Sequence, residues 1–321
     1  MTTATGTSPG VANRLLLAYV SVSVATLVWG TIQPIGKIIL IQASPVQLTL
    51  ARSSLTALTM LVVVLLTGRL PVLRSELRRR PALIAVLGLA SFSISSGLSM
   101  IGLSFLPASI SGLLSNTSPL MLAIGVAIAA RRLPAPRVLI GLAIGFGGVG
   151  LLLLRPDSLD RAVDPRGVVV SLIGSCFWAA YAAGSRRVLR DADPFVLTAL
   201  AATFGSIPLL VATVVRGELI GLFTLPTSTT LLILYAGILA MAMPYALWMS
   251  ALRYLSATNV MAFQYVVPLV AVTIAVVWLG EPLDASLLIG GAAILLGVAA
   301  SQEGWSVVRI VTSPRRRRSG P

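Results

Sequence analysis

Two prolines, Pro119 and Pro268, interrupt long apolar stretches and have polar side chains beside them. A proline inside a helix removes one backbone hydrogen bond and leaves the carbonyl four residues earlier without its donor. In hydrocarbon, neighbouring helices, water or a ligand must satisfy such a carbonyl. A hinge at a binding site is one interpretation of each proline, and a simple packing kink is the other. The side chains that could meet a ligand near these hinges are Ser115, Asn116, Asn259, Gln264 and Tyr265.

Aromatic and further polar side chains fall inside other apolar stretches, at depths where they could line the same cavity. Trp29 and Trp178 lie well inside their stretches, which favours cavity walls over an interfacial aromatic belt. Walls of this kind, with amides and hydroxyls between them, would suit a small zwitterion, and equally a neutral metabolite or a nucleobase. The other candidates for a substrate-binding site are Gln33, Ser96, Ser99, Tyr181, Tyr245 and Trp248.

Arg52 is the one strong charge that lies clearly inside an apolar stretch. Charged groups within a membrane are costly and usually face the protein interior, so Arg52 is a possible charge partner for the substrate. A guanidinium could hold a carboxylate through two parallel hydrogen bonds. Arg52 is also about two helical turns from the predicted outer end of its stretch, so snorkelling to the interface is the alternative.

The sequence offers little for acid–base, metal or redox chemistry. It has no histidine and one cysteine, Cys176, and no Asp or Glu lies near the centre of an apolar stretch. It also lacks a Walker-type nucleotide-binding loop. We therefore predict no catalytic residue, no metal site and no cofactor. Proton-driven carriers usually relay protons through buried carboxylates or histidines, so we expect facilitated diffusion or exchange instead.

Ten stretches are long and apolar enough to cross a hydrocarbon core of about 30 Å as helices. The chain is 56% hydrophobic and 11% charged, whereas soluble domains have about 25% charged residues. We number the stretches segment 1 to segment 10, and they cover residues 15–37, 46–67, 82–103, 108–129, 138–154, 167–188, 195–215, 229–251, 257–279 and 285–302.

The basic residues predict how these segments thread the membrane. The net charge of +14 could suggest a nucleic-acid partner, but the charges lie between segments and at the C-terminus. Basic clusters fall in every second connection and in the tail, whereas the other connections are neutral, acidic or balanced. The positive-inside rule therefore predicts a multi-pass inner-membrane protein with both termini in the cytoplasm. We expect membrane lipids and a small-molecule substrate as partners, and no nucleic acid.

The sequence matches itself at a constant offset of 149 residues, the separation of Trp29 and Trp178. The alignment needs no gap, and it pairs tryptophans, prolines and glycines that apolar composition alone does not explain. The other matched pairs are Pro45 with Pro194, Gly68 with Gly217, Gly88 with Gly237, Met100 with Met249, Pro119 with Pro268, Gly141 with Gly290 and Gly148 with Gly297.

Each copy of this duplication holds five segments, and an odd number inverts the second copy in the membrane. The predicted fold is an all-α membrane protein with ten transmembrane helices arranged as two inverted five-helix repeats. We expect a cytoplasmic tail at 1–14, repeats at 15–154 and 167–303, an extracytoplasmic linker at 155–166 and a basic cytoplasmic tail at 304–321.

Segments 5 and 10 are rich in glycine, which lets helix backbones approach closely. The two helices could pack on each other inside the chain, or they could mediate a homodimer. The glycines are Gly141, Gly145, Gly147, Gly148, Gly290, Gly291 and Gly297.

These matched positions give each half a resemblance to an EamA repeat of the drug/metabolite transporter superfamily. The resemblance covers nearly the whole chain, and one departure is Arg132, which stands at the repeat-one counterpart of Glu281 where family members often have glutamate. The motifs that carry it are Val28-Trp29-Gly30, Ser44-Pro45, Leu50-Ala51-Arg52, Pro119, Leu279-Gly280-Glu281-Pro282-Leu283, Gly290 and Gly297-Val298.

The resemblance implies a ten-helix carrier, often an exporter of amino acids or other small metabolites. With the residue pattern, it predicts a transporter that works by alternating access rather than an enzyme. A channel or a passive scaffold is the alternative, and a membrane-embedded enzyme is the less favoured one, because the segments lack acid–base groups.

Overall fold

A computed structural model describes residues 9–154, 163–189, 191–251, 254–255 and 263–303. Within these ranges the secondary structure is entirely helical, as the apolar segments predict. Eight helical segments are long and apolar enough to cross a membrane, and two shorter ones, Phe263–Leu279 and Ala285–Ser301, correspond to segments 9 and 10. The first residues of predicted segment 9, including Asn259, lie outside the described ranges.

The helix bounds follow the predicted segments to within a few residues at most ends. In the first half, the helices of segments 1 to 5 are Pro9–Gly30 with Ile32–Ile39, Pro45–Leu66, Pro81–Gly88 with Leu89–Ser95 and Ser96–Phe105, Ala108–Ser115 with Ser118–Ala130, and Pro136–Leu153. In the second half, those of segments 6 to 10 are Pro165–Val188, Pro194–Val215, Thr227–Leu234 with Tyr235–Ala242 and Met243–Ala251, Phe263–Tyr265 with Val266–Leu279, and Ala285–Glu303.

Two short helices lie in the connections between predicted segments. Leu70–Arg79 joins segments 2 and 3, and the 3-10 turn Ile220–Phe223 precedes segment 8. The first contains Arg74, Arg78 and Arg79 of the basic cluster between segments 2 and 3, so these arginines lie on a helix. Its Glu76 forms an ion pair of 2.8 Å with Arg80, one turn later.

The two prolines predicted as hinges lie just after breaks in their helices. Pro119 is in the first turn of Ser118–Ala130, after a turn at residues 116 and 117. Pro268 is in the first turn of Val266–Leu279, which follows the 3-10 turn Phe263–Tyr265. A proline is tolerated in a first helical turn because its missing N–H would have no partner there. The chain therefore breaks before each proline.

Segments 3 and 8 each contain a stretch of π-helix, Leu89–Ser95 and Tyr235–Ala242. A π-helix widens the turn and weakens the regular backbone bonding. Segment 2 supplies hydroxyls at both places: Ser53 donates to the carbonyl of Phe92 at 3.2 Å, and the Thr56 hydroxyl lies 3.1 Å from the carbonyl oxygen of Gly237. Segment 2 thereby holds both irregular helices.

Helix contacts recur at the 149-residue offset that relates the two halves. Segments 2 and 7, 4 and 9, and 5 and 10 pack on each other, and segment 3 contacts segment 6 as segment 8 contacts segment 1. A Cβ placed on Gly148 would lie 2.6 Å from the carbonyl oxygen of Gly290, and one on Gly297 would lie 2.5 Å from that of Gly141. These are the same contact made twice.

The ends of segments 2 and 7 repeat this relationship. Ser44 and Asp193 are the N-caps of the two helices, and each is followed by a proline that suits the first helical turn. Gly68 and Gly217, just past the two C-termini, both adopt a φ of +69°, a conformation in which glycine avoids the strain that a side chain brings.

Candidate functional site

A cavity of about 210 Å³ lies between the two halves. Drug-sized ligands usually occupy pockets of about 300–1,000 Å³, so this cavity suits a smaller metabolite. Segments 1, 2, 3, 4, 6, 8, 9 and 10 contribute to its walls among the described residues. It therefore lies where the elements of both halves converge.

Most of the predicted site residues lie around this cavity, including Trp29, Trp178 and Arg52, for which the sequence allowed an interfacial position as the alternative. They are Trp29, Gln33, Arg52, Ser96, Ser99, Ser115, Asn116, Pro119, Trp178, Tyr245, Gln264 and Tyr265.

Three predicted residues lie away from the cavity walls. Tyr181 packs against Trp178 with ring centroids 5.4 Å apart, and Trp248 packs against Trp29 at 5.3 Å. Pro268 is buried in the helix of segment 9. Depth along a helix is readable from sequence, but the direction a side chain faces depends on how the helix is rotated. Tyr181 and Trp248 therefore pack behind the cavity walls, and their assignment as substrate contacts stays a prediction.

Gln33 organises a polar network at the cavity wall. Its amide nitrogen donates to the hydroxyl of Ser99 at 3.2 Å and to that of Ser115 at 2.9 Å. Its amide oxygen accepts from the hydroxyl of Ser111 at 3.2 Å. The network joins segments 1, 3 and 4, and it satisfies an amide that would be costly to bury alone.

Asn116 lies in the turn that breaks segment 4. Its amide nitrogen donates to the carbonyl of Gly112 at 3.0 Å, which satisfies a backbone group next to the helix break. The residue also lines the cavity, beside Ser115. The break before Pro119 thus brings polar side-chain and backbone groups to the cavity wall.

Arg52 is only 4% exposed and lies in the cavity wall. One terminal nitrogen donates to the hydroxyl of Ser96 at 2.5 Å, and the other is 3.7 Å from the sulfur of Met100. Its Nε has no hydrogen-bond partner in the described structure. The side chain is thus directed into the protein, which contradicts the snorkelling alternative.

The aromatic residues form one wall. The rings of Trp29 and Tyr245 meet edge to face, at an interplanar angle of 81° and a centroid distance of 5.5 Å. Such edge-to-face contacts are favourable beyond the apolar area they bury. A Cβ on Gly30 would clash with the side chain of Val270, so segment 1 approaches segment 9 closely beside Trp29.

Serines form a further part of the wall that the sequence analysis did not single out. Ser91 in segment 3, and Ser171 and Ser175 in segment 6, all line the cavity. Ser171 and Ser175 are four residues apart, the helical spacing that places two side chains on one face. Two serines at this spacing in an apolar stretch indicate a polar helix face, and this sequence signal could have identified both residues. The hydroxyl of Ser171 is buried without a partner among the described residues.

Known proteins are similar to this chain along most of its length. The sequence model of the family described as the EamA-like transporter family matches residues 16–154 and again residues 165–301. Two Bacillus subtilis (strain 168) proteins, both named as uncharacterized transporters, are similar along most of their length. YyaM is 24% identical over 81% of this chain and 84% of its own, and YvbV is 24% identical over 88% of each.

One relative that matches a shorter part of the chain has a more specific name. A probable terminal-alkyne amino-acid exporter of Streptantibioticus cattleyicolor is 37% identical over 97 residues, which are 30% of each chain. One solved structure, described only as the crystal structure of a protein, superposes with a TM-score of 0.60 and 18% identity over 94% of this chain and 99% of its own. At that identity, the likeness concerns the fold alone.

Proposed function

Because the chain belongs to the EamA-like transporter family, we propose that it carries a small metabolite through the central cavity by alternating access. It is a multi-pass membrane protein, and the finer assignment is an exporter of an amino acid or a related metabolite. The single observation that carries the proposal is the cavity itself, since eight segments from both halves meet around it. A site at the interface of two repeats is where an alternating-access carrier needs one.

The proposed architecture is ten transmembrane helices in two inverted repeats, 15–154 and 167–303. The contacts that recur at the 149-residue offset support it, most directly the two pairs Gly148–Gly290 and Gly141–Gly297. The proposed organisation also has an extracytoplasmic linker at 155–166, a cytoplasmic tail at 1–14 and a basic cytoplasmic tail at 304–321. The basic clusters support an inner-membrane location with both termini in the cytoplasm.

The proposed energetics are facilitated diffusion or exchange down a substrate gradient. Among the described residues of the cavity wall, none is an aspartate, glutamate or lysine. A proton-coupled cycle needs a group in the pathway that changes its protonation. The transport rate should therefore follow the substrate gradient and respond weakly to an imposed pH gradient.

Reconstituted transport tests the proposal. Purified protein in liposomes should show saturable counterflow of at least one compound in a panel of labelled amino acids, with and without a pH gradient. Replacing Asn116 or Gln264 by alanine should reduce that counterflow by about tenfold or more, since each removes a polar group from the wall.

The matched control is Gln42→Ala. Gln42 is an exposed amide whose oxygen accepts a hydrogen bond from Thr229, away from the cavity. Its replacement should leave counterflow within about twofold of the wild type. Non-saturating flux through the wild-type protein would instead favour a channel, and flux that appears only under a pH gradient would contradict the proposed energetics.

A further inference from the structure

Arg52 has the features of a residue that binds an anion. It is 4% exposed, it lies in the wall of the cavity, and no described aspartate or glutamate forms an ion pair with it. Buried arginines are almost always paired, because an uncompensated charge in a low-dielectric setting is costly. Ser96 and Met100 engage only its terminal nitrogens, so part of its donor capacity is unused.

The backbone that carries Arg52 is held firmly in place. The Thr56 hydroxyl lies 2.8 Å from the carbonyl oxygen of Arg52 and 3.1 Å from that of Gly237. A Cβ on Gly237 would lie 3.2 Å from that same Arg52 carbonyl, so segment 8 packs directly on this turn of segment 2. A guanidinium on a rigid backbone loses less conformational freedom when a ligand binds.

Charge balance indicates what kind of anion the site can hold. Arg52 is the only charged side chain among the described residues of the cavity wall. A single carboxylate would neutralise it, and the ammonium group of a zwitterion would need the hydroxyl oxygens of the wall as acceptors. A phosphate, with about −1.5 to −2 charges near neutral pH, would bring an uncompensated negative charge into the protein. The planar fork of the guanidinium also matches a carboxylate in a two-pronged arrangement.

Segment 3 joins this charge to the polar network around Gln33. Ser96 accepts a hydrogen bond from Arg52, and Ser99, three residues later on the same helix, accepts one from Gln33. Side chains three residues apart on a helix are neighbours, about 5–6 Å between Cβ atoms. A ligand held at Arg52 can therefore present a second polar group to the Gln33 network, provided that it is small.

We propose that Arg52 is the carboxylate-binding residue of the central cavity, and that the transported metabolites are monocarboxylates, zwitterionic amino acids included. The inference rests on the proposed carrier function and specifies its substrate class. The predicted order of preference is the free acid first, with esters and decarboxylated amines of the same skeleton far behind. Recognition of this kind depends on the acid group of the substrate more than on the substrate's side chain. For that side chain, the cavity offers mainly serines and aromatic rings.

Binding and exchange can be measured with matched compounds. Leucine, methionine and threonine are each compared with their methyl esters and decarboxylated amines, and chloride and inorganic phosphate serve as bare anions. Quenching of tryptophan fluorescence reports binding to the purified protein, because Trp29 and Trp178 line the cavity. Counterflow in liposomes reports transport.

The wild-type protein should prefer at least one acid over its ester and amine by about tenfold or more. Arg52→Gln should remove that preference by weakening the acid while the ester changes by no more than about twofold. Arg52→Lys should keep part of the preference, because it retains the charge without the planar fork. Monodisperse gel filtration and a melting curve would establish that both variants are folded.

Lys37→Gln is the control for loss of a positive charge. The Lys37 ammonium donates to the carbonyls of Leu103 and Leu106, and the residue is not part of the cavity wall. Its replacement should leave the ratio of acid to ester affinity unchanged. Trp278→Phe, at a tryptophan that is 74% exposed, should leave the ligand-dependent quenching in place.

The contradicting results separate the two claims. Esters or amines carried as well as acids by the wild type would overturn the role of Arg52 and leave the carrier function intact. Tighter binding of phosphate or chloride than of any carboxylate would also overturn it. If no acid in the panel were bound or exchanged, the carboxylate role of Arg52 would be contradicted, and saturable counterflow of a compound without a carboxylate would still support the carrier function.

Discussion

The carboxylate of Glu218 accepts a hydrogen bond of 2.5 Å from the hydroxyl of Ser44, the N-cap of segment 2. At the 149-residue offset, the corresponding positions hold Asp193, the N-cap of segment 7, and Arg69, and these two form an ion pair of 3.0 Å. The two links therefore occupy equivalent places in the two halves but differ in chemistry. One depends on a carboxylate and a neutral hydroxyl, and the other on opposite charges.

The hydrogen bond between Ser44 and Glu218 should make the folded state less stable as the pH falls into the acidic range. The hydrogen bond from Ser44, and after it that from Arg216, lowers the pKa of Glu218 below its ordinary value of 4.5. A carboxyl whose pKa is lowered by folding stabilises the folded state fully above its ordinary pKa, and that contribution is lost as pH falls through the lowered value. Glu218→Gln should therefore flatten the melting temperature of the purified protein across this acidic window.

Ser44→Ala separates the hydrogen bond from the carboxylate. It should raise the pKa of Glu218 towards the ordinary value and reduce the acid-dependent fall in melting temperature. Ser104→Ala is the control, since this exposed hydroxyl donates to the carbonyl of Ile101 in its own helix. Identical pH profiles for Ser44→Ala and the wild type would show that the hydroxyl does not set this dependence.

Glu281 should contribute to stability as the cap of a helix in the other half. Its carboxylate, 3% exposed, accepts from the backbone N–H groups of Ala108 and Ser109 at 2.6 and 3.0 Å and from the Ser109 hydroxyl. It thus satisfies donors at the N-terminus of segment 4, where a negative charge is also favoured by the helix dipole. Glu281→Ala should lower the free energy of unfolding by about 1–3 kcal/mol.

A surface acid provides the comparison for that measurement. Asp191→Asn, at an exposed position, should change the free energy of unfolding by less than about 0.5 kcal/mol. Glu281→Gln keeps one acceptor oxygen and should lie between the two variants. Equal melting temperatures for Glu281→Ala and the wild type would exclude the capping role.

The contact between segments 5 and 10 should tolerate side chains at one glycine and not at another. A Cβ on Gly297 would clash with the backbone of Gly145, whereas a Cβ on Gly147 would meet nothing within 4 Å. Gly297→Ala should therefore lower the free energy of unfolding by about 1–3 kcal/mol through overpacking, and Gly147→Ala should be neutral or slightly stabilising. Thermal unfolding in detergent measures both, and equal losses would contradict the packing.

The helices and the family were readable from the sequence because they depend on signals that local residues carry. Apolar stretches of sufficient length predict helices regardless of neighbours, and the ten predicted segments are helical over most of their described residues. The expected resemblance is confirmed by the family model, which matches residues 16–154 and 165–301. The breaks before Pro119 and Pro268 likewise follow from what proline does to a backbone.

The rotation of each helix was not readable, and it decides which side chains face the cavity. Tyr181 and Trp248 lie at suitable depths but pack behind Trp178 and Trp29. Arg52 could have turned to the membrane surface, and only its contacts with Ser96 and Met100 place it inside. These outcomes depend on packing between distant segments, which no local pattern encodes.

The central claim is that the cavity is accessible from water and binds the substrate. The most direct measurement is cysteine labelling in a Cys176→Ser background, with Ser115→Cys as the probe, since Ser115 is an exposed residue of the cavity wall. Ser53→Cys is the control, because Ser53 is fully buried, donates to the carbonyl of Phe92 and is not part of the cavity wall. We predict that a membrane-impermeant maleimide labels the cysteine at 115 and not that at 53, and that a transported substrate slows the reaction at 115. No labelling at 115, or labelling that a transported substrate does not affect, would contradict the assignment of the cavity as the transport site.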